Sequence, residues 1–416
     1  MKKLLLLFCC CAALALKSNA QVYCGSGRYI NEMFSVGAPT TITYGSNTDV
    51  NGTTTTLTMD VYQPQGDTCQ HRPVIFFTHG GSFIIGTKDD GDVVTLCQRF
   101  AKRGYVTVSI NYRLGMGFPI NQHAATAAVY RGTQDMRAAV RYMRKDAATS
   151  NQFKIEPNYI FGGGSSAGAF CALHLAYLDD VNEIGNIVDT TAVGCAGGLE
   201  GLSGNAGYAS NVRAVINLCG ALGRKEWMKP NEEPLCSMHG TADNVVPYGT
   251  STIYVSGIIP IMLVDGSHTL DSFATAQGGP YSVFHSWPGA AHVPYAADQT
   301  TMDNTVAFVR DFLAFQLGCG SDPELQTAVS TIAASANAAV FPEPATDEVN
   351  IVLEGYENQL KQIQLLNLNG QVQANYTAHF NQFTLHRNAI PAGIYLLKLT
   401  TMDGQLITKK IVFIKN

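Results

Sequence analysis

Strand-like and helix-like hydrophobic patterns alternate along residues 21–320. Short runs typical of buried strands occur in seven places: LTMDVYQP, PVIFFTHGG, YVTVSINYRLG, NYIFGGG, VRAVINLCG, EPLCSMHG and YSVFHSW. Apolar positions at helical spacing occur in three longer segments: AAVYRGTQDMRAAVRYMRKDA, SAGAFCALHLAYL and TVAFVRDFLAFQLG. Strands that alternate with helices predict an α/β fold, with a mostly parallel sheet covered by helices on both faces.

The pattern changes after residue 320. Residues 321–340 are small and polar without a strong amphipathic period, which is typical of a linker. Residues 341–416 contain short β-rich runs separated by NG, PAG and DG turns. This arrangement predicts a small antiparallel β-sandwich.

The N-terminus has the pattern of a signal peptide. Two lysines precede an apolar run of about a dozen residues, and SNA supplies small residues at a cleavage point after Ala20. The run is too short to span a bilayer, and no later segment is long and apolar enough, so no transmembrane segment is predicted. The predicted organisation is a signal peptide (1–20), an α/β domain (21–320), a linker (321–340) and a β-sandwich (341–416).

The charge balance argues against two classes of partner. The chain has 27 basic and 32 acidic residues, a formal charge of −5, and no block of Lys or Arg. Nucleic acid and anionic membrane surfaces are therefore not expected to bind.

The cysteines suggest an oxidising compartment. Eight lie outside the predicted signal peptide, and an even number in an exported protein permits up to four disulfides. Their spacing contains no CxxC pair, so neither a metal nor another cofactor is predicted, and the sequence leaves the disulfide pairing open. The eight are Cys24, Cys69, Cys97, Cys171, Cys195, Cys219, Cys236 and Cys319.

The stretch FGGGSSAGAF contains the candidate nucleophile. Residues 164–168 fit G-x-S-x-G and lie between a predicted strand and a predicted helix. In that context the glycines allow a sharp turn, and the hydroxyl of Ser166 projects above the sheet at a helix N-terminus. Ser165 is then a neighbour. A Gly–Ser turn without chemistry is the alternative interpretation.

A serine nucleophile needs a base and a carboxylate. His292, in SWPGAAHVPY after the last predicted strand, is the candidate base, and Asp243, in SMHGTADNVVPY, is the candidate carboxylate. The order Ser, Asp, His is the chain order of hydrolases built on such a sheet. Asp265 and Asp271 are the fallback carboxylates.

The developing oxyanion needs backbone N–H donors that are already in place. HGGSF follows an early apolar strand, and its glycines allow the backbone to approach a ligand closely. Gly80 and Gly81 are therefore the predicted oxyanion-hole donors, together with the amide of Ala167 after the nucleophile.

Four motifs, HGGSF, GGSSAG, HGTADNVVPY and GAAH, occur in this order. Together they resemble the α/β-hydrolase superfamily, in its carboxylesterase and lipase branch, over about residues 40–320. The resemblance implies an α/β-hydrolase catalytic domain that cleaves esters through an acyl-enzyme, with Arg113 and Asp135 as scaffold positions. Relatives often carry an acidic residue where this chain has Ser165.

The C-terminal stretch resembles a second family. FPEPATDEVNI, LNGQV, IPAGIYLLKLT and GQLITKKIVFIK are similar to the sorting domain of the type IX secretion system, over residues 341–416. The resemblance implies that the type IX machinery is a partner and that the protein is secreted or held at the cell surface. A carbohydrate-binding β-sandwich is the alternative, although the aromatic residues of this segment are scattered.

The predicted function is a secreted serine carboxylester hydrolase. Its expected partner is a small-molecule or carbohydrate ester, with Ser166 attacking the carbonyl, His292 moving the proton and Asp243 orienting the imidazole. Two alternatives remain: a serine peptidase of the prolyl-peptidase type, which shares the fold and triad, and a non-catalytic surface binding protein on a hydrolase scaffold.

Overall fold

The computed structural model describes residues 24–184, 188–255, 258–320, 337–342, 344–354, 360–367, 371–377, 382–388, 390–401 and 406–414. The predicted signal peptide and residues 321–336 of the predicted linker lie outside this set. The chain divides into two compact units between Ser321 and Asp322.

The helices described in the first unit include the three predicted ones and add three more. They are α1 (Gly91–Ala101), α2 (Gln122–Ala148), α3 (Ala167–Tyr177), α4 (Val181–Ile184), α5 (Ser267–Gln277) and α6 (Gln299–Gln316). The three predicted helices are α2, α3 and α6. The side chain of Asn121 caps α2 by accepting from the amide of Ala124, and the side chain of Asp298 caps α6 by accepting from the amide of Thr301.

The strands of the first unit are β1 (Ser35–Val36), β2 (Thr40–Thr48), β3 (Thr54–Tyr62), β4 (Pro64–Gln65), β5 (Arg72–Phe76), β6 (Val106–Ile110), β7 (Ile155–Ser165), β8 (Val215–Leu218), β9 (Ala221–Leu222), β10 (Leu235–Gly240), β11 (Thr250–Val255), β12 (Ile259–Gly266) and β13 (Ser282–Trp287). Eight of them form one sheet, in the order β13-β10-β8-β7-β5-β6-β3-β2. The pairs from β13 to β6 are parallel, whereas β3 and β2 are antiparallel to their neighbours.

Helices cover both faces of this sheet. Apolar side chains of α2 and α3 pack in one core cluster, whereas those of α1 and α6 pack in another. Every residue of β5, β6, β8 and β10 is buried, because strands covered on both faces have no solvent side. The structure confirms the predicted α/β fold with helices on both faces.

The sheet order brings distant parts of the sequence to one edge. The strands β5, β7, β8, β10 and β13 all run parallel, so the loops that follow them leave from the same edge. Carboxyl ends of such strands are where α/β proteins bind ligands. All of the predicted site residues lie in or next to these loops.

A separate antiparallel sheet has three strands, in the order β11-β12-β9, and contacts α2, α3 and α5. The sequence analysis did not predict its long hairpin β11–β12. Leu263 and Tyr254 on this hairpin are exposed, so its apolar pattern does not alternate as that of a half-buried strand would.

The second unit contains β14 (Asn337–Phe341), β15 (Glu348–Glu354), β16 (Leu360–Leu366), β17 (Val372–Thr377), β18 (Gln382–His386), β19 (Gly393–Thr401) and β20 (Leu406–Phe413). They form two antiparallel sheets, β14-β15-β18 and β17-β16-β19-β20. Alternate residues of both sheets share one apolar core, including Val349, Ile351, Ile363, Leu365, Leu397 and Leu399. This confirms the small antiparallel β domain, and β14 shows that residues 337–340 belong to a strand.

One disulfide is present among the described cysteines, between Cys24 and Cys319. It joins two positions 295 residues apart in the sequence. The other six cysteines of the described residues are free thiols, and five of them are buried. Within the described part of the chain, no helix has the length and apolar character needed to cross a membrane.

Candidate active site

The glycines around Ser166 permit a tight turn. Ser166 lies between the end of β7 and the start of α3, with backbone angles φ of 52° and ψ of −117°, a region that L residues rarely adopt. A Cβ at Gly164 would lie 2.3 Å from the backbone carbon of Gly168, and a Cβ at Gly168 would lie 2.0 Å from the carbonyl oxygen of Thr78. Both glycines are therefore required by the close approach of the backbone.

Ser166, His292 and Asp243 form one hydrogen-bonded line. Nε2 of His292 lies 2.8 Å from Oγ of Ser166, and Nδ1 lies 2.6 Å from Oδ2 of Asp243. Because the carboxylate can only accept, Nδ1 carries the imidazole proton and Nε2 accepts from the serine hydroxyl. This arrangement allows the imidazole to take the hydroxyl proton.

Asp243 is buried but well supplied with donors. Its side chain is 0% exposed, and its Oδ1 accepts from the amides of Val245 and Val246, both at 2.9 Å. Burial alone raises the pKa of Asp243, but hydrogen bonds from His239 and His292 outweigh burial and hold the pKa well below its ordinary value. The carboxylate therefore stays ionised beside His292.

His239 is a neighbour of Asp243 that the sequence analysis did not assign to the site. It lies near the end of β10, fully buried, with Nε2 at 3.1 Å from Oδ2 of Asp243 and also at 3.1 Å from the carbonyl oxygen of Val246. Its Nδ1 lies 2.7 Å from Oγ of Ser267. Nε2 thus donates to two oxygens, and Nδ1 accepts from the serine. The only sequence signal was its position four residues before Asp243.

The predicted oxyanion donors lie around Ser166. A Cβ at Gly80 would lie 3.2 Å from the Cβ of Ser166, so this glycine keeps the backbone close to the nucleophile. Its carbonyl oxygen is 2.7 Å from Nδ1 of His79, and the N–H of Gly81 points the opposite way because the peptide is trans. Ala167 is the first residue of α3, where amides have no intrahelical acceptor. The donor role of all three residues stays a prediction.

Ser165 has a role that its sequence context did not reveal. Its Oγ lies 2.7 Å from the hydroxyl oxygen of Tyr295, and both residues are buried. Tyr295 follows His292 by three residues, in a short 3-10 helix at Pro294–Ala296. This hydrogen bond therefore connects the turn at Ser166 to the loop that carries His292.

The fallback carboxylates bind elsewhere. Asp265 accepts from the amide of Lys225 at 2.8 Å and from the hydroxyl of Thr250. Asp271 accepts from the hydroxyl of Ser282 at 2.8 Å. Both carboxylates have hydrogen-bond partners other than His292, so Asp243 is the candidate that the tertiary structure brings to the imidazole.

Arg113 and Asp135 form a buried ion pair at 2.8 Å, with both side chains 0% exposed. The guanidinium also donates to the carbonyl oxygens of Thr48 and Gly194. The pair connects the segment that follows β6, the helix α2 and the backbone at Thr48 and Gly194, as a scaffold ion pair would.

A cavity of about 370 Å³ lies beside α2, α3 and the hairpin β11–β12. Its walls include His174, Trp227, Asp265 and Met262, but none of Ser166, Asp243 and His292. The triad geometry, and not this cavity, therefore identifies the reacting centre.

Comparison with known families gives two matches. Residues 59–223 match the BD-FAE family model. Residues 339–415 match the secretion system C-terminal sorting domain. The second match confirms the predicted type IX sorting domain, and with it an extracellular or cell-surface location.

Several curated relatives are esterases by name, whereas Neuroligin-2 of Mus musculus, 36% identical over 103 residues (24% of this chain and 11% of that protein), is not. Gut esterase 1 of Caenorhabditis briggsae is 30% identical over 220 residues, which are 51% of this chain and 36% of that protein. Carboxylesterase 3B of Mus musculus is 32% identical over 113 residues, which are 27% of this chain and 19% of that protein. The matched region thus spans about a third or less of these relatives.

A solved structure of Thermogutta terrifontis esterase 2, phosphorylated by paraoxon, has a TM-score of 0.50 to this chain at 19% sequence identity. The alignment covers 68% of this chain and 96% of that one. At this identity the likeness shows the fold. With the family matches, it confirms the resemblance to α/β-hydrolases of the carboxylesterase type.

Proposed function

We propose that this chain, an esterase-type α/β-hydrolase domain joined to a secretion sorting domain, is a secreted serine carboxylester hydrolase. The observation that supports it most is the line of hydrogen bonds from Ser166 through His292 to Asp243, with distances of 2.8 and 2.6 Å. A serine hydroxyl is a weak nucleophile, and a base within hydrogen-bond reach is what activates it.

The proposed reaction has two halves. Oγ of Ser166 bonds to the ester carbonyl carbon while its proton moves to Nε2 of His292. The carbonyl oxygen becomes an oxyanion, for which the amides of Gly80, Gly81 and Ala167 are the proposed donors. Nε2 then protonates the leaving alkoxide as the C–O bond breaks. Water attacks the acyl-enzyme with His292 as base, which releases the acid and restores the serine.

Turnover of p-nitrophenyl acetate tests the proposal. Wild type should hydrolyse the ester, whereas Ser166→Ala should lose about 10⁴-fold or more in kcat, because the nucleophile is absent. Ser272→Ala, at an exposed serine of α5, is the matched control and should retain activity. Wild type without turnover would instead favour the surface binding protein.

Paraoxon labelling provides a second test that needs no natural substrate. The hydroxyl oxygen of Ser166 should displace p-nitrophenolate from phosphorus and leave a diethylphosphoryl group on the serine. Intact-protein mass spectrometry should find one adduct on wild type and none on Ser166→Ala. An adduct on both proteins would contradict the assignment of the nucleophile.

We further propose that the natural alcohol portion is a carbohydrate. The support is the sorting domain at 339–415, since a hydrolase outside the cell meets polysaccharide esters there. Acetylated oligosaccharides should then give a higher kcat/KM than acetyl esters of simple alcohols. Equal values would contradict the carbohydrate proposal. Faster cleavage of a peptide anilide than of any ester would favour the peptidase.

A further inference from the structure

A cysteine thiol stands directly beside the triad. Cys219 follows the end of β8 and is fully buried, with a positive φ of 56°. Its Sγ, a carboxylate oxygen of Asp243 and a ring nitrogen of His292 all lie within 4.8 Å of one another. In the described residues, this is the single cluster of three His, Cys, Asp or Glu ligand atoms with such spacing.

The fold explains why these three residues meet although they are far apart in the sequence. β8, β10 and β13 are neighbours in the parallel sheet, and Cys219, Asp243 and His292 each follow one of them. Cys219 comes directly after β8, so its position is fixed by the last residue of that strand.

We propose that Cys219, Asp243 and His292 form an inhibitory binding site for a thiophilic divalent cation of the Zn²⁺ or Cd²⁺ class. One sulfur, one nitrogen and one oxygen donor, with water as fourth ligand, suit zinc. Tetrahedral zinc has bonds of about 2.0–2.3 Å, which places its ligand atoms about 3.4–3.6 Å apart. The sulfur therefore approaches the other two ligands by up to about 1 Å, whereas Nδ1 of His292 and Oδ2 of Asp243, which lie 2.6 Å apart, separate by about 1 Å as the ion replaces the proton between them. The inhibitory effect rests on the proposed function, whereas cation binding at this site does not.

Binding of the cation would prevent His292 from acting as the general base. If the cation takes Nδ1 of His292, the neutral ring keeps its proton on Nε2; if it takes Nε2, the lone pair there is used. In both cases Nε2 no longer accepts the proton of Ser166. The cation binds the thiolate, so the Sγ proton is released to solvent.

Burial of the thiol selects the kind of ligand. Cys219 is 0% exposed, whereas the side chain of His292 is 17% exposed. A bare ion can enter from the imidazole side, but a bulky thiol reagent cannot reach Sγ without opening the fold. A small cation is therefore the ligand that this cluster fits.

The test titrates ester turnover with Cd²⁺ or Zn²⁺, with Mg²⁺ as the hard-cation control and no thiol reductant. Cys219→Ser keeps a small polar side chain at this position but removes the sulfur. Each variant is compared with its own uninhibited rate. We expect the half-inhibitory concentration to rise at least about tenfold in Cys219→Ser, and a chelator to restore wild-type activity.

Two controls address the other thiols. Cys236→Ala removes a buried thiol of β10, and Cys69→Ser removes the half-buried thiol; both should be inhibited as wild type is. Equal inhibition of Cys219→Ser and wild type, or no recovery with the chelator, would overturn the proposal.

A direct measure of binding separates this inference from the esterase proposal. Cd²⁺ bound to a thiolate adds ultraviolet charge-transfer absorption, which does not depend on turnover. Wild type should gain more of this absorption than Cys219→Ser when Cd²⁺ is added without substrate. This result does not depend on whether the protein hydrolyses any ester. The same absorption in both proteins would show that the cation binds elsewhere and would refute the site.

Discussion

Removing the imidazole of His239 tests whether Asp243 needs its buried second donor. In His239→Leu, Oδ2 of Asp243 loses the N–H at 3.1 Å, and the carbonyl of Val246 loses the same donor. The hydroxyl of Ser267 loses its acceptor at 2.7 Å. Asp243 keeps the amides of Val245 and Val246 and the proton of His292.

The size of the effect follows from these bonds. A hydrogen bond to a charged group contributes about 1.5–3 kcal/mol, and a buried group left without a partner adds to the loss. We expect the free energy of unfolding at pH 7 to fall by about 3 kcal/mol in His239→Leu. We expect kcat to fall about tenfold with KM unchanged, because a less restrained carboxylate orients the imidazole of His292 less well.

The pH dependence gives a signature that lost packing would not give. The folded-state pKa of Asp243 is lowered, so its contribution to stability is present above the unfolded value of about 3.8 and is lost as pH falls through the lower folded value. In His239→Leu the folded pKa moves back towards its ordinary value. The stability difference between the two proteins should therefore be larger at pH 7 than at pH 3.

Denaturant unfolding at both pH values, together with steady-state kinetics, measures these effects. His239→Gln can still donate to Asp243 and should recover part of kcat. His285→Leu, on the neighbouring strand β13, is the matched control and should leave kcat unchanged. Unchanged kcat in His239→Leu, or the same stability loss at pH 7 and pH 3, would refute the reasoning.

Three further predictions concern other contacts. Ser165→Ala and Tyr295→Phe should each lower the unfolding free energy by about 1–3 kcal/mol, because each leaves a buried hydroxyl unpaired. The double variant should lose less than the sum of the two single losses. Strict additivity in this double-mutant cycle would contradict the hydrogen bond. Burial lowers the pKa of His174 to about 4, so the unfolding free energy should fall by up to about 3 kcal/mol as pH falls from about 6.5 to 4. In His174→Gln the unfolding free energy should change less with pH over this range. Equal pH dependence in the two proteins would contradict the prediction. Replacing both Cys24 and Cys319 with Ser removes a disulfide between residues 295 positions apart in the sequence. The unfolding free energy should fall by about 4 kcal/mol, and an unchanged Tm would contradict this prediction.

Several features were predictable because they depend on local order in the sequence. Gly164 and Gly168 mark a turn in which a Cβ would collide with backbone, and that requirement is visible as G-x-S-x-G. The chain order of Ser166, Asp243 and His292 also follows from the order of the parallel strands, since each residue comes after one of them. These features could therefore be predicted without coordinates.

Other features were not predictable because their partners are remote in the sequence. Nothing near Ser165 points to Tyr295, which is 130 residues away. Cys24 pairs with Cys319, although no sequence pattern favours this pairing over others among the eight cysteines. The hairpin β11–β12 escaped prediction because its exposed apolar residues hide the strand period.

The sequence by itself determined the α/β pattern, the antiparallel C-terminal unit and the turn around Ser166, because hydrophobic period and glycine sterics act over neighbouring residues. It proposed His292 and Asp243 but left two other carboxylates open. Only the tertiary structure decided which side chains surround the carboxylate of Asp243. The imidazole of His239 reaches it from the end of β10, the strand that Asp243 follows, and the thiol of Cys219 lies at the end of the neighbouring strand β8. Which side chains meet across a sheet is set by strand order and register, which no local pattern encodes.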